Sequence, residues 1–358
     1  MLAAELQRKY DAAGRSIRFV SLPHTEGCGV SDEKVGAATL LGHLASPLVC
    51  HGLLLEHGCE KTHNDYFSKC LIDHGIDTKA FGWASLQADG GVAAVRAKVD
   101  EWFAPRLSSA PPPRCLAPLA TLGVGLLVEC AHFAAPGADH ASSSSDESSR
   151  PLPDGVALCF ARLTVQMAAQ GLVVLPHTSA LLHHPTFLET ALAEAPRPTL
   201  AYGQRLGFRP SARLLQPAPS EDAEAAGSSS TPTEAAPSAG GLHIMSMPTA
   251  RWVETLSGVG ASGVHMMLAW RAPGSPAPTG HPMIPMLSVA LDESAGSAEE
   301  TAAVPLADVL LPPAEGPVEW NQRVLRRMSE VASGTYTPLA MAHGNVDFQI
   351  ARIASVSL

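Results

Sequence analysis

Histidine, cysteine and carboxylate side chains crowd two short stretches of this sequence, Pro23-His24-Thr25-Glu26-Gly27-Cys28-Gly29 and Glu56-His57-Gly58-Cys59-Glu60. Each closes an apolar run that reads as a buried strand, Ile17 to Leu22 before the first and Gly52 to Leu55 before the second. Imidazole, thiolate and carboxylate arriving on neighbouring loops suit a transition metal. In an open parallel sheet, ligands bind in the crevice beyond the carboxyl ends of the strands, so two such loops would converge there. A plainer role competes with this one. A Glu in a first helical turn is favoured by the dipole, and His-Thr before a Gly-rich turn can satisfy loose backbone groups.

The elements that would position these loops alternate along the chain. After the run at Ile17 to Leu22 come a helical pattern at Asp32 to Ala45 and a strand at Val49 to Leu55, the grammar of a βαβ unit. A helix near His63 to His74, a strand around Lys79 to Ala84 and a helix at Gly91 to Phe103 continue it, with Val92, Val95, Val99 and Trp102 at helical spacing. Three strand-helix units would make the first layer of a doubly wound sheet. Gly90-Gly91 reads as the turn before the last of these helices. Farther on, Leu122 to Val128 and Leu172 to Leu175 read as strands, with a helix at Val156 to Gln170 between them. Leu242 to Met247, Val264 to Ala269 and Met283 to Leu291 read as strands, with helices at Ala250 to Leu256 and Glu319 to Ala332.

Two low-complexity stretches interrupt this pattern. Ala141 to Arg150 is dominated by serine and cannot bury enough apolar surface to offset chain entropy, so a mobile insert is expected at 141–150. Gln216 to Gly240 is rich in Pro, Ala, Ser and Glu and reads as a linker. The expected fold class is α/β, with open, mostly parallel sheets and flanking helices in two domains, 1–215 and 241–358, joined by a disordered linker at 216–240.

A formal charge of −10 without any Lys/Arg cluster argues against a nucleic-acid partner. The longest apolar stretch, Leu116 to Val128, is too short and too broken by Gly and Pro to span a bilayer, so no membrane partner is expected. Seven cysteines without framework spacing fit a reducing compartment, which points to the cytoplasm. Cys50, Cys70, Cys115 and Cys159 read as small buried hydrophobes, while Cys28 and Cys59 stand evenly between that role and a functional one. His74, His183 and His184 are expected on solvated helix faces.

The series His24-Thr25-Glu26-Gly27-Cys28-Gly29, then Gly58-Cys59-Glu60, then Leu86-Gln87-Ala88-Asp89-Gly90-Gly91, resembles in order and spacing the altronate and galactarate dehydratases, iron-dependent lyases of sugar acids. Gly241-Leu242-His243-Ile244-Met245 with Pro248, the Gly263 to Leu268 run, Gly280 to Pro285, Ala332-Ser333-Gly334 and the ending His343-Gly344-Asn345-Val346-Asp347-Phe348 are similar to that family's closing region. The resemblance implies a Rossmann-like dehydratase domain over 1–215 and a carboxyl-terminal α/β dehydratase domain over 241–358. The small amino-terminal domain of longer relatives is missing. A separate small subunit or a truncated gene model would account for that.

Several family loops are altered. Leu127-Val128-Glu129-Cys130-Ala131-His132 stands where the family has Cys-Gly-Gly-Ser-Asp, and Pro176-His177-Thr178 where it has Ser-Glu-Thr. Thr249-Ala250-Arg251 replaces Gly-Asn-Asp, and Trp270-Arg271-Ala272-Pro273 replaces Thr-Gly-Arg-Gly. Of that last loop only Arg271 could still clamp a carboxylate.

Dehydrating a hydroxy acid means removing a weakly acidic proton beside a carboxylate, forming an enediolate and expelling the β-hydroxyl. A divalent iron would stabilise the negative charge as it develops. The resemblance implies Fe2+, or Mn2+ in its place, held by His24, Cys28, Cys59 and Glu60, with His57 and His63 nearby. It implies catalytic roles for His24, Glu60, His177 and Arg271, His177 as a ligand or base where the family keeps an acidic group. The expected partner is a small hydroxy acid, with a small subunit or a homo-oligomer as further possibilities. Two other functions fit the altered loops: a binding or regulatory subunit without turnover, and a subunit of a sulfolactate-type sulfo-lyase.

Overall fold

A computed structural model describes residues 2–13, 17–24, 33–107, 115–128, 151–194, 241–247, 249–292 and 307–352. The serine-rich stretch 141–150, the expected linker 216–240 and Cys28 lie outside the described residues.

The amino-terminal region begins with helix α1 (Leu2–Ala12), which turns Leu6 and Tyr10 inward. Helix α2 (Glu33–Leu44), strand β1 (Leu53–Glu56), helix α3 (Asn64–Asp73), strand β2 (Gly82–Ser85) and helix α4 (Val92–Arg106) follow. β1 and β2 pair in parallel, Leu53 opposite Gly82, as a sheet of two strands. Gly82 must be small, because a Cβ there would lie 2.5 Å from Leu53 Cδ1 and 2.8 Å from the Trp102 ring. The expected turn before α4 is present: Gly90 and Gly91 take φ of 84° and 93°, a left-handed backbone suited to glycine.

The larger sheet contains β3 (Val124–Leu127), β4 (Leu172–Pro176), β5 (Gly241–Met245), β6 (Met266–Trp270), β7 (Met286–Leu291) and β8 (Val309–Leu311). Its six strands are all parallel, in the order β5-β4-β3-β6-β7-β8. The chain therefore starts mid-sheet, winds outward to β5, and returns to lay β6 beside β3 before winding to the other edge. Right-handed crossover helices then fall on opposite faces in the two halves, which leaves a crevice beyond the ends of β3 and β6. Helix α5 (Asp154–Ala168) joins β3 to β4 and packs with α6 (Pro185–Glu194) and α8 (Pro317–Ala332) over one core, which includes Phe160, Phe187 and Val324. Helix α7 (Trp252–Gly260) lies on the opposite face, where Leu256 and Val259 meet Met267 and Met286. A short helix α9 (Leu339–Ala342) precedes the closing segment. No helix among the described residues is long and apolar enough to cross a membrane.

The α/β class is as expected, but three details differ. Ile17 to Leu22 forms no strand. Its backbone is engaged by the side chain of Gln7, whose Nε2 donates to the Ile17 carbonyl at 2.7 Å and whose Oε1 accepts from the Phe19 N–H at 2.7 Å. Phe19 packs between Tyr10 and Phe103, each ring centroid 5.4 Å away, so the apolar run reflects partial burial without a ladder. β1 and β2 are not the first layer of the doubly wound sheet, because they pair only with each other. Finally, β4 and β5 are neighbours from Leu172↔Gly241 to Pro176↔Met245, so a boundary at 216–240 divides one sheet and not two domains.

The two sheets meet through α2, which packs on α7. Gly42 makes this approach possible: a Cβ there would collide with the Ala261 carbonyl oxygen.

Candidate functional site

The loop after β1 holds the second cysteine-carboxylate motif. Glu60 folds back so that Oε1 accepts from the His57 N–H at 2.7 Å and Oε2 from the Gly58 N–H at 2.8 Å. Gly58, at φ 108°, allows the turn. Partial burial pushes the Glu60 carboxyl up, but the N–H groups of His57, Gly58, Glu60 and Cys59 outweigh it and hold the group below the usual carboxylate range. Glu60 is thus an ionised clasp for its own loop. The neighbouring Glu56, which sequence reasoning passed over, does what Glu60 was thought to do for a helix. It accepts from the Asn64 N–H at 2.5 Å, at the positive end of α3.

Cys59 and His57 are exposed on this loop, and His24 is half-buried at the end of the segment that Phe19 anchors. Both oxygens of Glu60 already serve the backbone, and among the described residues no group of three His, Cys, Asp or Glu side chains could hold a metal ion. Cys28, one of the four ligands that the resemblance implies, lies outside the described residues, and no step below runs through a metal. The third motif is likewise structural. Asp89 accepts from the Ser85 N–H at 2.8 Å and pairs with Lys98 at 2.7 Å, fixing the turn into α4.

His177 and Arg271 lie on the other sheet, at the carboxyl ends of β4 and β6 on either side of β3. The His177 N–H donates to the Met245 carbonyl at 2.8 Å, and the Met247 N–H donates to His177 Nδ1 at 3.0 Å. These bonds tie the ends of β4 and β5 together. They also set the tautomer: with Nδ1 accepting, the neutral ring carries its proton on Nε2. The expected base or ligand role at Nε2 would need its proton moved to Nδ1, where it would face the Met247 N–H. His177 presents a hydrogen-bond donor.

Arg271 continues β6 by donating its N–H to the Val289 carbonyl at 2.8 Å. Its Nε donates to the Ser275 carbonyl at 2.6 Å across a turn that Gly274 permits at φ 76°. The loop beyond is secured to α7 by Trp252, whose Nε1 donates to the Thr279 carbonyl at 2.7 Å. Arg271 thus follows the carboxyl end of β6, beside the crevice of the sheet. No family model matches the chain, and no curated protein matches its sequence. The assignment of this edge therefore rests on position and chemistry. An arginine and an imidazole N–H donor at the switch of a doubly wound sheet can bind a small carboxylate and stabilise an oxygen that gains negative charge.

The remaining expectations divide. Cys159 is buried, and burial pushes its thiol up to about 12, as befits a packing residue. Cys50 and Cys115 are exposed, which corrects their reading as core, because both sit in loops beside the strands that bury the apolar runs. His74 is on a solvated face as expected, but His184 is half-buried and its Nε2 lies 3.1 Å from the Leu152 carbonyl.

Proposed function

We propose that this chain is a hydro-lyase of a small hydroxy acid such as altronate or galactarate, working at the carboxyl edge beside β3. The observation that carries the reading is Arg271, which follows β6 at the switch of strand order with its Nε fixed by Ser275. The motif series shared with sugar-acid dehydratases supports the same class. In this reading Arg271 clamps the substrate carboxylate, which raises the acidity of the neighbouring C–H and orients it. His177 donates from Nε2 to the enediolate oxygen as charge builds there. His24 of the first motif is assigned the proton transfer, since Glu60 is too weak a base while its loop holds it below the usual carboxylate range.

The same engagement of Glu60 and His177 favours a second reading, a subunit that binds the acid without turning it over. One experiment separates the two. Hydroxyl loss and equilibrium binding are measured over a panel of hydroxy acids for the wild type and for Arg271→Ala. The hydro-lyase reading expects turnover that falls about 10- to 100-fold in the variant, the worth of one charge-assisted pair. Binding without turnover, lost in the variant, selects the binding subunit. Turnover that ignores Arg271→Ala overturns the placement of the site.

A further inference from the structure

Two histidines meet head-on where α2 docks against the large sheet. His43 is on α2 and His281 in the loop before β7; both are buried, at 2% and 0% exposure. Their Nε2 atoms are 3.0 Å apart and the ring planes lie within 9° of each other. The far nitrogens are also engaged. His281 Nδ1 accepts from the N–H groups of Met283 and Ile284, both at 3.1 Å, and His43 Nδ1 lies 2.7 Å from the Thr39 carbonyl.

Only one neutral arrangement satisfies all four contacts. His281 Nδ1 is an acceptor, so its proton is on Nε2 and is donated to His43 Nε2; the His43 proton is then on Nδ1 and goes to Thr39. We propose that this pair is an acid-released latch that holds α2, and with it the amino-terminal region, to the six-stranded sheet.

Any added proton breaks the latch. A proton on His43 Nε2 would face the Nε2–H of His281, and one on His281 Nδ1 would face two backbone donors. Among the described residues the surroundings offer no compensating charge. From α7 comes Gly260, where a Cβ would sit 2.8 Å from His43 Nε2 and 3.3 Å from His281 Nε2, and from the closing segment comes the edge of Phe348, at 5.1 and 6.0 Å. The nearest charged residues on the packed elements are cationic, elsewhere occupied or at the surface: Arg18 of the amino-terminal segment donates to the Pro282 carbonyl beside His281 at 2.8 Å, a positive charge that opposes protonation of the pair. Glu254 of α7 pairs with Arg251 and accepts from the Arg352 N–H, while Glu33 and Lys34 of α2 and Asp347 beside Phe348 are exposed. Burial lowers His43 to about 4, and burial with His43 alongside lowers His281 to about 2.

For groups lowered in the folded protein, stability is complete above the unfolded value near 6.5 and is lost as pH falls below it. The latch therefore opens in weak acid, well before either ring titrates in place. Histidine-ring 15N shifts of the full chain at pH 7 should show His43 protonated on Nδ1 and His281 on Nε2. Hydrogen exchange, corrected for intrinsic rates, should show opening of α2 rising about 10-fold per pH unit or more between pH 6 and 5. β3 and β6 should stay protected over that range. His281→Asn keeps an acceptor for the two backbone N–H groups but cannot charge, so it should flatten the part of the slope that His281 supplies. The proposal is overturned by the opposite tautomers, by either ring charged at pH 6, by pH-independent opening of α2, or by α2 and β3 opening together.

Discussion

The two parallel sheets differ in what holds their carboxyl edges. Every residue of β3, β4 and β5 is buried, whereas β1 has no fully buried residue and Leu55 is 46% exposed. A parallel sheet is stable when both faces are covered, and both sheets carry helices on each face, but the small one has only two strands and buries fewer of its strand residues. The small sheet must secure its loops with its own side chains, so Glu60, Glu56 and Asp89 are all bound to nearby backbone. At the large sheet the ladder and two cores hold the strands, and Arg271 and His177 extend that order to the strand ends through bonds to Val289, Ser275, Met245 and Met247. The second and third motifs thus place their carboxylates in backbone bonds of the small sheet's own loops.

Breaking the large sheet should have the largest effect. Asp308, buried at the start of β8, accepts from the Ser288 N–H and Oγ, both at 2.7 Å, from Tyr336 Oη at 2.9 Å and from the Leu339 N–H at 2.8 Å. Burial and then this carboxylate raise the Tyr336 hydroxyl to about 12, so the donor stays protonated. Asp308→Ala leaves buried donors without an acceptor and should cost about 4 kcal/mol, read from denaturant unfolding followed by exchange at β6 and β7. A cost below about 1 kcal/mol would mean that the large sheet is no better anchored than the small one.

A smaller effect is expected where the two regions meet. Gly42→Ala places a methyl group against the Ala261 carbonyl, a backbone atom that cannot swing aside. Overpacking of this kind costs about 2 kcal/mol. Exchange should rise in α2 and at the His43–His281 contact while β3 and β4 stay protected. Equal loosening of both regions would show that α2 is integral to the large sheet and not docked upon it.

The strand and helix runs were legible because buried parallel strands are continuous apolar stretches and because helices such as α4 repeat their apolar positions every three or four residues. Strand neighbours were not. Parallel partners are chosen by crossovers, so nothing in Leu172–Pro176 announces that Gly241–Met245 will lie beside it. Ile17 to Leu22 misleads for a related reason, since a glutamine side chain from α1 stands in for a neighbouring strand. At the site, His177 and Arg271 could be placed at strand ends from sequence. The tautomer of His177 could not, because the deciding N–H belongs to Met247, just beyond the next strand. His43 and His281, 238 residues apart, share no spacing that would pair them.

The smallest expected effect sharpens the comparison most directly. Glu60→Gln keeps the shape of the clasp and one acceptor oxygen but removes the charge from a partly exposed loop, so the loss of stability should be about 1 kcal/mol. Because the folded carboxyl lies below its ordinary value, the wild-type contribution is present above pH 4.5 and disappears as acid reaches the folded value. The difference between wild type and variant should accordingly vanish at low pH. Anaerobic iron analysis of the same pair gives the chemical half of the answer. A structural clasp predicts equal iron content in both proteins, measured beside Cys59→Ala and His24→Ala as references for the shared motifs. Stoichiometric iron in the wild type that disappears with Glu60→Gln would reverse the contrast between the two sheets, making the small one the seat of the chemistry and the backbone bonds of Glu60 its resting state.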